Sequence, residues 1–304
     1  THTKDKISYA DIILTKSTID NSENGQSGFK TIIHEIGHSL GLKHPGLYSN
    51  TDSAPFMPHN EDNQQYSIMS YKNYFETKSK IIYPSTPMIY DVAAVQYLYG
   101  PNINYRSGDS TYKFDQDGLF NFFSNNKQLY TIWDSGGNDV IDASKTKSDN
   151  IIDLREGVDH QSKIGNNIFF IAFGSAIEIV KSGDGDDIIH GNSIDNEIHT
   201  GKGNDIIYPG IGVNRIYGDE HGKKTIVINE FNYGKKTENH IYNFKQNIDE
   251  IDISAYHKMV KSQNHKLKID AKLYTNSVGI ELGCTKVILH GVTEISNNDF
   301  KYHL

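Results

Sequence analysis

A nine-residue repeat in the middle of the chain constrains the possible fold more than any other sequence feature. Residues 182–190 and 200–208 both follow the pattern G-G-x-G-x-D-x-U-x, with serine or threonine in the first place. Two degenerate copies fill residues 191–199 and 209–217. The apolar position recurs every nine residues, at Ile189, Ile198, Ile207 and Ile216. This period is typical of a parallel β-structure that binds calcium in its turns.

The residue types in the repeat explain how its turns bind calcium. Glycine tolerates positive φ and lets backbone carbonyl oxygens approach one another, and each aspartate adds a carboxylate. Calcium takes about six to eight such oxygen ligands. Because equivalent turns stack every two repeats, eighteen residues apart, we expect two neighbouring loops to share calcium. The predicted ligands are Gly183, Gly185 and Asp187 in one loop and Gly201, Gly203 and Asp205 in the next.

The charge of this segment favours calcium over a simpler interpretation. Residues 181–219 carry seven acidic and three basic side chains, so the stacked carboxylates would repel one another without a cation. Ordinary Asp–Gly turns of an all-β domain explain one such turn, but not four in register. The turns that contain Asn196 and Asn214 are weaker calcium candidates, because asparagine adds no charge.

The strongest local motif is H-E-x-x-H-x-x-G-x-x-H, which one segment of the chain matches at all five fixed places. His34 and His38 are four residues apart, so they lie on one face of a helix. Gly41 permits a sharp turn after the helix, which returns His44 as a third ligand. Three protein ligands leave one position of a zinc ion open, as in catalytic zinc sites. Glu35 lies beside the first ligand and can accept the proton of an attacking water molecule.

A single histidine is weak evidence in this chain, which contains 14 of them. Isolated histidines are more often surface or core residues, and we assign no role to those outside the motif. Residues 67–71, Ser-Ile-Met-Ser-Tyr, add a second signal because Met69 lies 25 residues after His44. A methionine turn in that place forms an apolar floor beneath the zinc of metzincins.

Composition excludes several classes of protein. The chain has 304 residues with 30 basic and 38 acidic side chains, and a net charge of −8 argues against a nucleic-acid surface. The longest apolar stretch, which includes residues 168–172, is far shorter than the ~18 residues of a transmembrane helix, so we expect no membrane insertion. The single cysteine, Cys284, cannot form an internal disulfide. A soft prior of about 150 residues per domain suggests two domains.

Together, the two motifs and the repeats resemble the serralysin family of secreted bacterial zinc metalloproteases. The resemblance extends from about His34 to the C-terminus and includes the Pro-Gly pair after His44. It implies that Tyr71 is a displaceable zinc ligand that hydrogen-bonds the oxyanion. The implied site residues are the zinc ligands His34, His38, His44 and Tyr71, the catalytic residues Glu35 and Tyr71, and the structural residues Gly41 and Met69.

The resemblance also implies calcium sites ahead of the repeats. Residues 106–112 and 133–139 look like the first calcium loop pair of the family. Gly174 and Glu178 match a further calcium loop. The implied ligands of the first pair are the carbonyls of Arg106, Gly108, Ser110 and Gly136 and the carboxylates of Asp134 and Asp139.

The resemblance implies a multidomain fold, α/β followed by all-β. Residues 1–103 correspond to the C-terminal part of a metzincin zinc protease catalytic domain, truncated at its N-terminus. Residues 104–304 correspond to a calcium-binding parallel β-roll, with nonapeptide repeats at about 174–217 and a β-sandwich-like tail. Family members have many more residues before the zinc helix than the 33 found here, and the chain begins with Thr1. We therefore expect a fragment of a longer protease.

Apolar spacing predicts few helices. One is expected over residues 29–42 with Ser27 as its N-cap, and a second over residues 91–98, which resembles the helix that closes the catalytic domain. Residues 7–14 are predicted to form an edge strand that pairs with substrate backbone. Almost everything after Gly100 is predicted to be strand or turn, including strands at residues 225–229 and 286–290.

The resemblance implies a monomeric extracellular enzyme with one catalytic Zn²⁺ and several structural Ca²⁺. Its partners would be protein or peptide substrates and, during export, the type I secretion machinery, which reads an uncleaved C-terminal signal. A second hypothesis is a non-catalytic calcium-binding RTX module, or an inactive protease fragment, in which the zinc motif is a relic. The intact Glu35 and Tyr71 favour the protease, whereas the short segment before His34 favours the second hypothesis.

Overall fold

The computed structural model of the chain describes residues 2–3, 6–7, 10–77, 80–114, 128–229, 236–262 and 269–302. Helices are few in this part of the chain, and all but one precede the large sheets. The described helices are α1 (Lys16–Asp20), α2 (Ser27–Ser39), α3 (Ile89–Tyr99) and α4 (Ser254–Ser262), with a short 3₁₀ turn at Asn297–Asp299.

The described strands form two small antiparallel pairs and two large sheets. The small pairs consist of β1 (His2–Thr3) with β2 (Lys6–Ile7), and of β3 (Tyr74–Thr77) with β4 (Lys80–Ile82). The large sheets contain β5 (Thr111–Lys113), β6 (Gln128–Ile132), β7 (Val140–Asp142), β8 (Ile151–Asp153), β9 (Gln161–Ile164), β10 (Asn167–Ile171), β11 (Ile179–Lys181), β12 (Ile188–His190), β13 (Glu197–His199), β14 (Asp205–Tyr208), β15 (Val213–Tyr217), β16 (Lys224–Val227), β17 (Thr237–Tyr242), β18 (Glu250–Asp252), β19 (Asp270–Tyr274), β20 (Ser277–Leu282), β21 (Thr285–His290) and β22 (Phe300–Lys301).

Two nine-stranded sheets share the main hydrophobic core. One sheet has the order β22-β18-β16-β14-β12-β8-β9-β10-β6, and the other has the order β19-β20-β21-β17-β15-β13-β11-β7-β5. From β11 to β18 the chain alternates between the sheets, so each turn adds one strand to each of them. Neighbouring strands in this region are parallel. The chain after residue 104 is therefore mostly β-structure, with the coiled topology of a β-roll.

The isoleucine period sets the register of the roll. Ile189 pairs with Ile207 in one sheet, and Ile198 pairs with Ile216 in the other. All four side chains point into the core, where they are at most 1% exposed. Complete burial of such a side chain contributes about 1.5–3 kcal/mol. The predicted stacking of equivalent turns eighteen residues apart is confirmed.

The C-terminal region continues the roll, so the prediction of a β-sandwich-like tail is wrong. Strands β16, β18 and β22 extend one sheet, and β17 and β21 extend the other, all by parallel pairing. Only β19 and β20 add antiparallel strands at the edge. The same pairing that stacks the repeats therefore continues beyond residue 217, although the repeat motif does not. Helix α4, which the sequence analysis does not predict, packs Tyr256 and Met259 against the core.

Helix α2 differs at both ends from its predicted range of 29–42. It begins at Ser27, so this serine lies within the helix instead of capping it, and the N-cap is Gln26 without a side-chain hydrogen bond. It ends at Ser39, because the backbone turns at Leu40 and reaches a φ of +94° at Gly41. The second predicted helix, residues 91–98, is α3 and extends from Ile89 to Tyr99.

The predicted edge strand at residues 7–14 is wrong for the part that the structure describes. Only Lys6–Ile7 belongs to a strand, residues 8–9 lie outside the described part, and residues 10–15 have no regular structure. Ile13 is 93% exposed. A strand needs a neighbour to pair with its backbone, and no described strand pairs with residues 10–15.

A second, smaller core joins the helical region to the roll. Ile82, Met88 and Ile89 pack with Leu129 and Phe170. The backbone N–H of Ser85 donates to the carbonyl of Leu129 at 2.7 Å. The helices and the first strands of the roll are thus held together by both apolar contact and a backbone hydrogen bond. None of the described helices has the length and apolar character needed to cross a bilayer.

Candidate metal centre

Helix α2 and the turn after it bring three histidines together. His34 and His38 lie one helical turn apart on α2, and the chain reverses at Gly41 to return His44. One ring nitrogen from each of the three histidines lies within 4.8 Å of the other two. The Nε2 atoms of His38 and His44 are 3.1 Å apart. The structure therefore groups the three predicted zinc ligands.

Each of these imidazoles is oriented by a hydrogen bond on its other nitrogen. Nδ1 of His34 donates to the carbonyl of Ile68 at 2.9 Å, and Nδ1 of His38 donates to the carbonyl of Leu42 at 2.9 Å. Nδ1 of His44 faces a carboxylate oxygen of Asp52 at 3.0 Å. Because carbonyl and carboxylate oxygens only accept, the proton is on Nδ1 and the lone pair is on Nε2.

This donor set fits a tetrahedral zinc ion. Two Nε2 lone pairs 3.1 Å apart have no proton to share, so they repel one another unless a cation lies between them. Zinc binds imidazole nitrogen at about 2.0–2.1 Å, which separates two tetrahedral ligands by roughly 3.3 Å. Hydrogen bonds from the far ring nitrogen to carbonyl or carboxylate groups are the usual support of histidine ligands.

The environment of the histidines favours the neutral imidazole ring, which is the form that binds metal. Burial lowers the pKa of His34, and the neighbouring His38 and Lys30 lower it further, so its ring stays neutral. Burial would raise the pKa of Asp52, but hydrogen bonds from Tyr48, His44 and Ser49 outweigh it and lower the pKa to about 2. A charged carboxylate behind His44 increases the basicity of its ring.

The methionine turn lies directly beneath α2. Met69 is buried, and a Cβ on Gly37 would lie 2.5 Å from its sulfur, so the helix approaches this closely only because residue 37 is glycine. The turn is held by Asp91 of α3. Its carboxylate accepts from Ser67 Oγ at 2.6 Å and from the backbone N–H of Ile68 at 2.7 Å.

Asp52 and Asp91 are site residues that sequence reasoning missed. Asp91 is 3% exposed, and burial raises its pKa to about 6 although four hydrogen bonds lower it. Its only sequence signal is its place as the third residue of α3, where a carboxylate reaches back to the N-cap. Asp52 lies in an irregular loop, and no pattern in the sequence marks it.

The structure places the two predicted catalytic side chains differently. Glu35 is half-buried on α2 and next to His34 in sequence. Burial lowers the pKa of Lys30, and the nearby carboxylate of Glu35 offsets part of that shift. Tyr71 is 56% exposed, and its ring centroid lies 4.4 Å from that of His44 and 5.6 Å from that of His34. Tyr71 thus lies beside the histidines on the solvent side.

The first predicted calcium loop pair brings its carboxylates together. Ser110 N–H donates to Asp139 at 2.7 Å, and Tyr112 O–H donates to Asp134 at 2.7 Å. Burial, together with the charges of Asp134 and Glu178, raises the pKa of Asp139 to about 7, although the hydrogen bond from Ser110 lowers it. Oδ2 of Asp139 is buried, and within the described residues no group donates a hydrogen bond to it. An orphaned buried oxygen among like charges fits a cation.

The backbone of these loops presents the predicted carbonyls. Arg106 has a φ of +51° and Gly136 a φ of +140°, both outside the range of ordinary strand backbone. Gly108 approaches the second loop closely, because a Cβ on Gly137 would lie 2.6 Å from its carbonyl carbon. Gly174 donates its N–H to Glu156, while Glu178 accepts from the N–H of Asp139 at 2.7 Å. Glu178 therefore faces the first loop pair.

The two repeat loops stack as predicted. Asp187 N–H donates to Oδ1 of Asp205 at 3.0 Å. A Cβ on Gly201 would lie 2.0 Å from the carbonyl oxygen of Gly183, and one on Gly203 would lie 2.2 Å from that of Gly185. Burial raises the pKa of Asp187, and it raises that of Asp205 to about 6. Buried carboxylates beside backbone carbonyl oxygens are the kind of ligand that calcium prefers.

The loops on the opposite edge of the roll carry asparagine instead. Nδ2 of Asn196 donates to the carbonyls of Ile177 and Glu178 at 3.2 and 3.3 Å. Nδ2 of Asn214 donates to Asn239 at 2.9 Å. These amide groups satisfy carbonyl oxygens that a calcium ion would otherwise bind, in keeping with the weaker expectation for Asn196 and Asn214.

Comparison with known proteins assigns the chain to a family. The family profile described as Peptidase M10 serralysin C terminal matches residues 101–287, more than half of the chain. The chain therefore belongs to the serralysin family. The match covers the β-roll and begins after the histidine cluster and the methionine turn.

Individual relatives extend the similarity. The chain is 42% identical to a serralysin of Proteus mirabilis over 186 residues, which cover 57% of this chain and 37% of the relative. It is 39% identical to metallopeptidase AprA of Pseudomonas marginalis over 184 residues, 56% of this chain and 38% of the relative. Serralysin G of Dickeya chrysanthemi is 35% identical over 250 residues, 79% of this chain and 51% of the relative. The chain thus spans between about a third and half of the length of these relatives.

Proposed function

We propose that the chain carries the zinc site of a secreted metalloendopeptidase, supported by a calcium-binding β-roll. The observation that carries the proposal is the convergence of His34, His38 and His44, each with Nδ1 hydrogen-bonded and Nε2 turned towards a common centre. Relatives named serralysin and metallopeptidase support the same conclusion.

The proposed roles divide the reaction among three kinds of residue. When bound by the three histidines, zinc supplies Lewis acidity, which polarises a peptide carbonyl and lowers the pKa of water. Glu35 accepts the proton of the attacking water and passes it to the leaving amine. Tyr71, exposed beside His44 and His34, moves towards the substrate and donates a hydrogen bond to the developing oxyanion. Such a donor contributes about 3–4 kcal/mol to transition-state stabilisation.

We propose structural calcium for the turns of the roll. The first site uses Asp134 and Asp139 with the carbonyls of loops 106–110 and 134–139, where buried carboxylates repel one another. The second lies between loops 182–187 and 200–205, through Asp187 and Asp205 with the carbonyls of the neighbouring glycines. Gly174 and Glu178 contribute next to the first site. At the first site calcium would neutralise the charges of Asp134 and Asp139. At the second it would neutralise that of Asp187, because Asp205 already forms an ion pair with Lys224.

The remaining proposals follow from family membership. The substrates are proteins or peptides, the protein is a monomer, and it reaches the extracellular space through a type I secretion system. The zinc domain corresponds to residues 1–103 and the β-roll domain to residues 104–304. The small core of Ile82, Met88 and Leu129 would couple the two parts.

The proposal is tested by casein cleavage with the 304-residue chain in zinc and calcium, beside the variant Glu35→Gln. Glu35 is half-buried and is no zinc ligand in the proposal, so the variant should fold and bind one zinc ion while losing about two to four orders of magnitude in activity.

A second variant, His38→Ala, separates zinc binding from catalysis. It should lose both the zinc ion and the activity, whereas Glu35→Gln loses only the activity. Cleavage by Glu35→Gln at the wild-type rate would overturn the role of Glu35. A folded, zinc-loaded wild-type chain that cleaves nothing would favour the inactive fragment or the RTX module.

A further inference from the structure

Lys224 is the one lysine that is almost completely buried within the described residues, with 2% of its side chain exposed. Its ammonium group is surrounded by oxygen atoms. Nζ lies 2.7 Å from Oδ2 of Asp205, and 2.9 and 2.7 Å from the carbonyls of Gly201 and Gly203. The carbonyl of His221 lies at 3.0 Å. Three N–H donors therefore serve four oxygens, which is the crowding of a cation site.

The register of the roll explains why a lysine reaches this position. Lys224 pairs with Asp205 in neighbouring strands, and Asp205 in turn accepts from the backbone of Asp187 one loop earlier. Lys224 therefore occupies the place of the aspartate in the repeat. Loop 219–224 also keeps the glycine of the repeat, because Gly222 has a φ of +73° and its Cβ would lie 1.9 Å from the carbonyl oxygen of Gly203. The loop has the backbone of a calcium turn, but its sixth position carries a positive charge where the repeat has a negative one.

The oxygens around Nζ match those proposed for calcium one loop earlier. The carbonyls of Gly201 and Gly203 and the carboxylate of Asp205 occupy the same places in their loop as Gly183, Gly185 and Asp187 in the preceding one. Calcium binds oxygen at about 2.3–2.6 Å, so an ammonium nitrogen at 2.7–3.0 Å from the same oxygens excludes it.

The next loop repeats the arrangement with another lysine. Nζ of Lys245 donates to the carbonyls of Glu220 and Gly222, which correspond to Gly201 and Gly203 one turn earlier. It also forms an ion pair with Asp249 at 3.8 Å. The backbone N–H of Lys224 donates to the same carboxylate at 2.8 Å. The space between loops 200–205 and 219–224 thus contains one ammonium group, and the space between loop 219–224 and the loop of Lys245 contains another. We call these two spaces gaps.

We propose that the ammonium groups of Lys224 and Lys245 replace calcium ions in the two gaps that follow loop 200–205. The covalently attached ammonium group of Lys224 neutralises Asp205 and donates hydrogen bonds to the neighbouring carbonyls, so no free ion is needed. Calcium binding on this edge therefore ends at loop 200–205, and the strands from β16 onwards are held independently of calcium. This inference rests on the proposed calcium role of the repeats.

A substitution that restores the repeat tests the proposal directly. In Lys224→Asp, loop 219–224 regains an aspartate in the sixth place and the gap loses its ammonium group. We expect this variant to bind one calcium ion more per chain than the wild type, as measured by isothermal titration calorimetry and by calcium content after dialysis. Lys223→Asp is the matched control, because the side chain of Lys223 is 39% exposed and pairs with Glu250 outside the gap. It should bind the same number of ions as the wild type.

The outcomes separate this inference from the proposed function. If the wild type binds calcium and folded Lys224→Asp binds no more, the replacement by lysine is wrong while the calcium role of the repeats stands. If the wild type binds no calcium, the calcium part of the proposed function fails. An extra ion in Lys223→Asp as well would show that added charge alone creates a site, which would also overturn the inference.

Lys224→Met provides a second test of the proposal if Lys224→Asp does not fold. Methionine fills the volume of the lysine stem but leaves Asp205 and the carbonyls without a cation. Calcium should then raise the Tm of Lys224→Met more than it raises the Tm of the wild type, since an ion can enter the vacated gap. An equal rise in both proteins would contradict the proposal.

Discussion

At the scale of single residues, the proposed metal centre depends on groups that would not touch the metal. His34 and His38 donate to backbone carbonyls, whereas His44 relies on the carboxylate of Asp52. Asp52 also accepts from the backbone of Tyr48 at 2.8 Å, so it fixes the loop as well as the ring. Asp52 therefore orients His44, the third proposed ligand, and also holds the loop that carries it.

The substitution Asp52→Ala removes the acceptor behind His44. We expect the zinc affinity to fall by about 10–100-fold, the usual effect of losing such a partner. Competition with a chromophoric chelator measures this affinity. Asp11→Ala, at an exposed position, is the control and should leave it unchanged. An affinity equal to that of the wild type in Asp52→Ala would show that the ring of His44 is held by other contacts.

Asp91 supports the floor of the site through its charge. In Asp91→Ala, the backbone N–H groups of Ile68 and Met88, which donate to Oδ2 of Asp91 at 2.7 and 2.8 Å, would lose their acceptor inside the protein. We expect a loss of about 2–4 kcal/mol in the free energy of unfolding. Denaturant unfolding measures the loss.

Ser67→Ala is the matched comparison for this position. It removes one donor and leaves the carboxylate with its backbone partners, so it should cost about 1 kcal/mol. Equal losses in Ser67→Ala and Asp91→Ala would mean that the backbone contacts of Asp91 contribute little.

At the scale of elements, the turns of the roll are built so closely that only glycine fits. The backbone of loop 200–205 approaches that of loop 182–187 to within a distance that any Cβ would violate, at both Gly201 and Gly203. This close approach aligns the carbonyls and places carboxylates in a buried row. The strands then need only three or four residues each, because the isoleucine in each of them fills the core.

We expect the calcium affinity of the first predicted calcium loop pair to depend on pH, because of its carboxylates. The pKa of Asp139 is raised to about 7, so in the calcium-free protein this group becomes protonated as the pH falls through 7. Calcium must then displace the proton. We expect the affinity of this site to fall by about tenfold between pH 8 and pH 6, where an unperturbed aspartate would give almost no change.

Trp133 provides a local probe for this measurement. It is the single tryptophan of the chain and precedes Asp134, so it can sensitise terbium bound at the loop pair. Terbium luminescence excited through tryptophan, with calcium as competitor, reports this site alone. Asp139→Asn should weaken binding and remove the pH dependence. Equal affinity at pH 8 and pH 6 in the wild type would contradict the raised pKa as the cause.

At the scale of the whole molecule, the two sheets form one continuous stack from β5 to β22. Apolar residues from the first strands, such as Tyr112, and from the last, such as Leu289, belong to one core cluster. We expect the N-terminal loops of this stack to need calcium and the C-terminal loops to be held by Lys224 and Lys245. The helical region adjoins the stack where Leu129 and Phe170 contact Met88.

The sequence by itself determined the periodic and local features. The spacing of the zinc motif places His34 and His38 on one helical face, and the nine-residue period fixes which isoleucines face the core. Both follow from short-range geometry, since helix and strand repeat at constant intervals. For the same reason the ends of α2 and the irregular residues 10–15 differ from expectation: no periodic signal marks them. Helix α4 does carry a signal that the sequence analysis overlooked, namely apolar residues at helical spacing, Tyr256, Met259 and Val260.

The tertiary structure decided which residues from distant segments meet. Asp91 contacts the methionine turn more than twenty residues away, and the ammonium of Lys224 enters a gap formed by loop 200–205. The tail continues the roll because strand pairing persists where the repeat motif has ended. These contacts depend on how stacked backbones align, and a sequence records the charge of a lysine without recording the oxygens that will surround it.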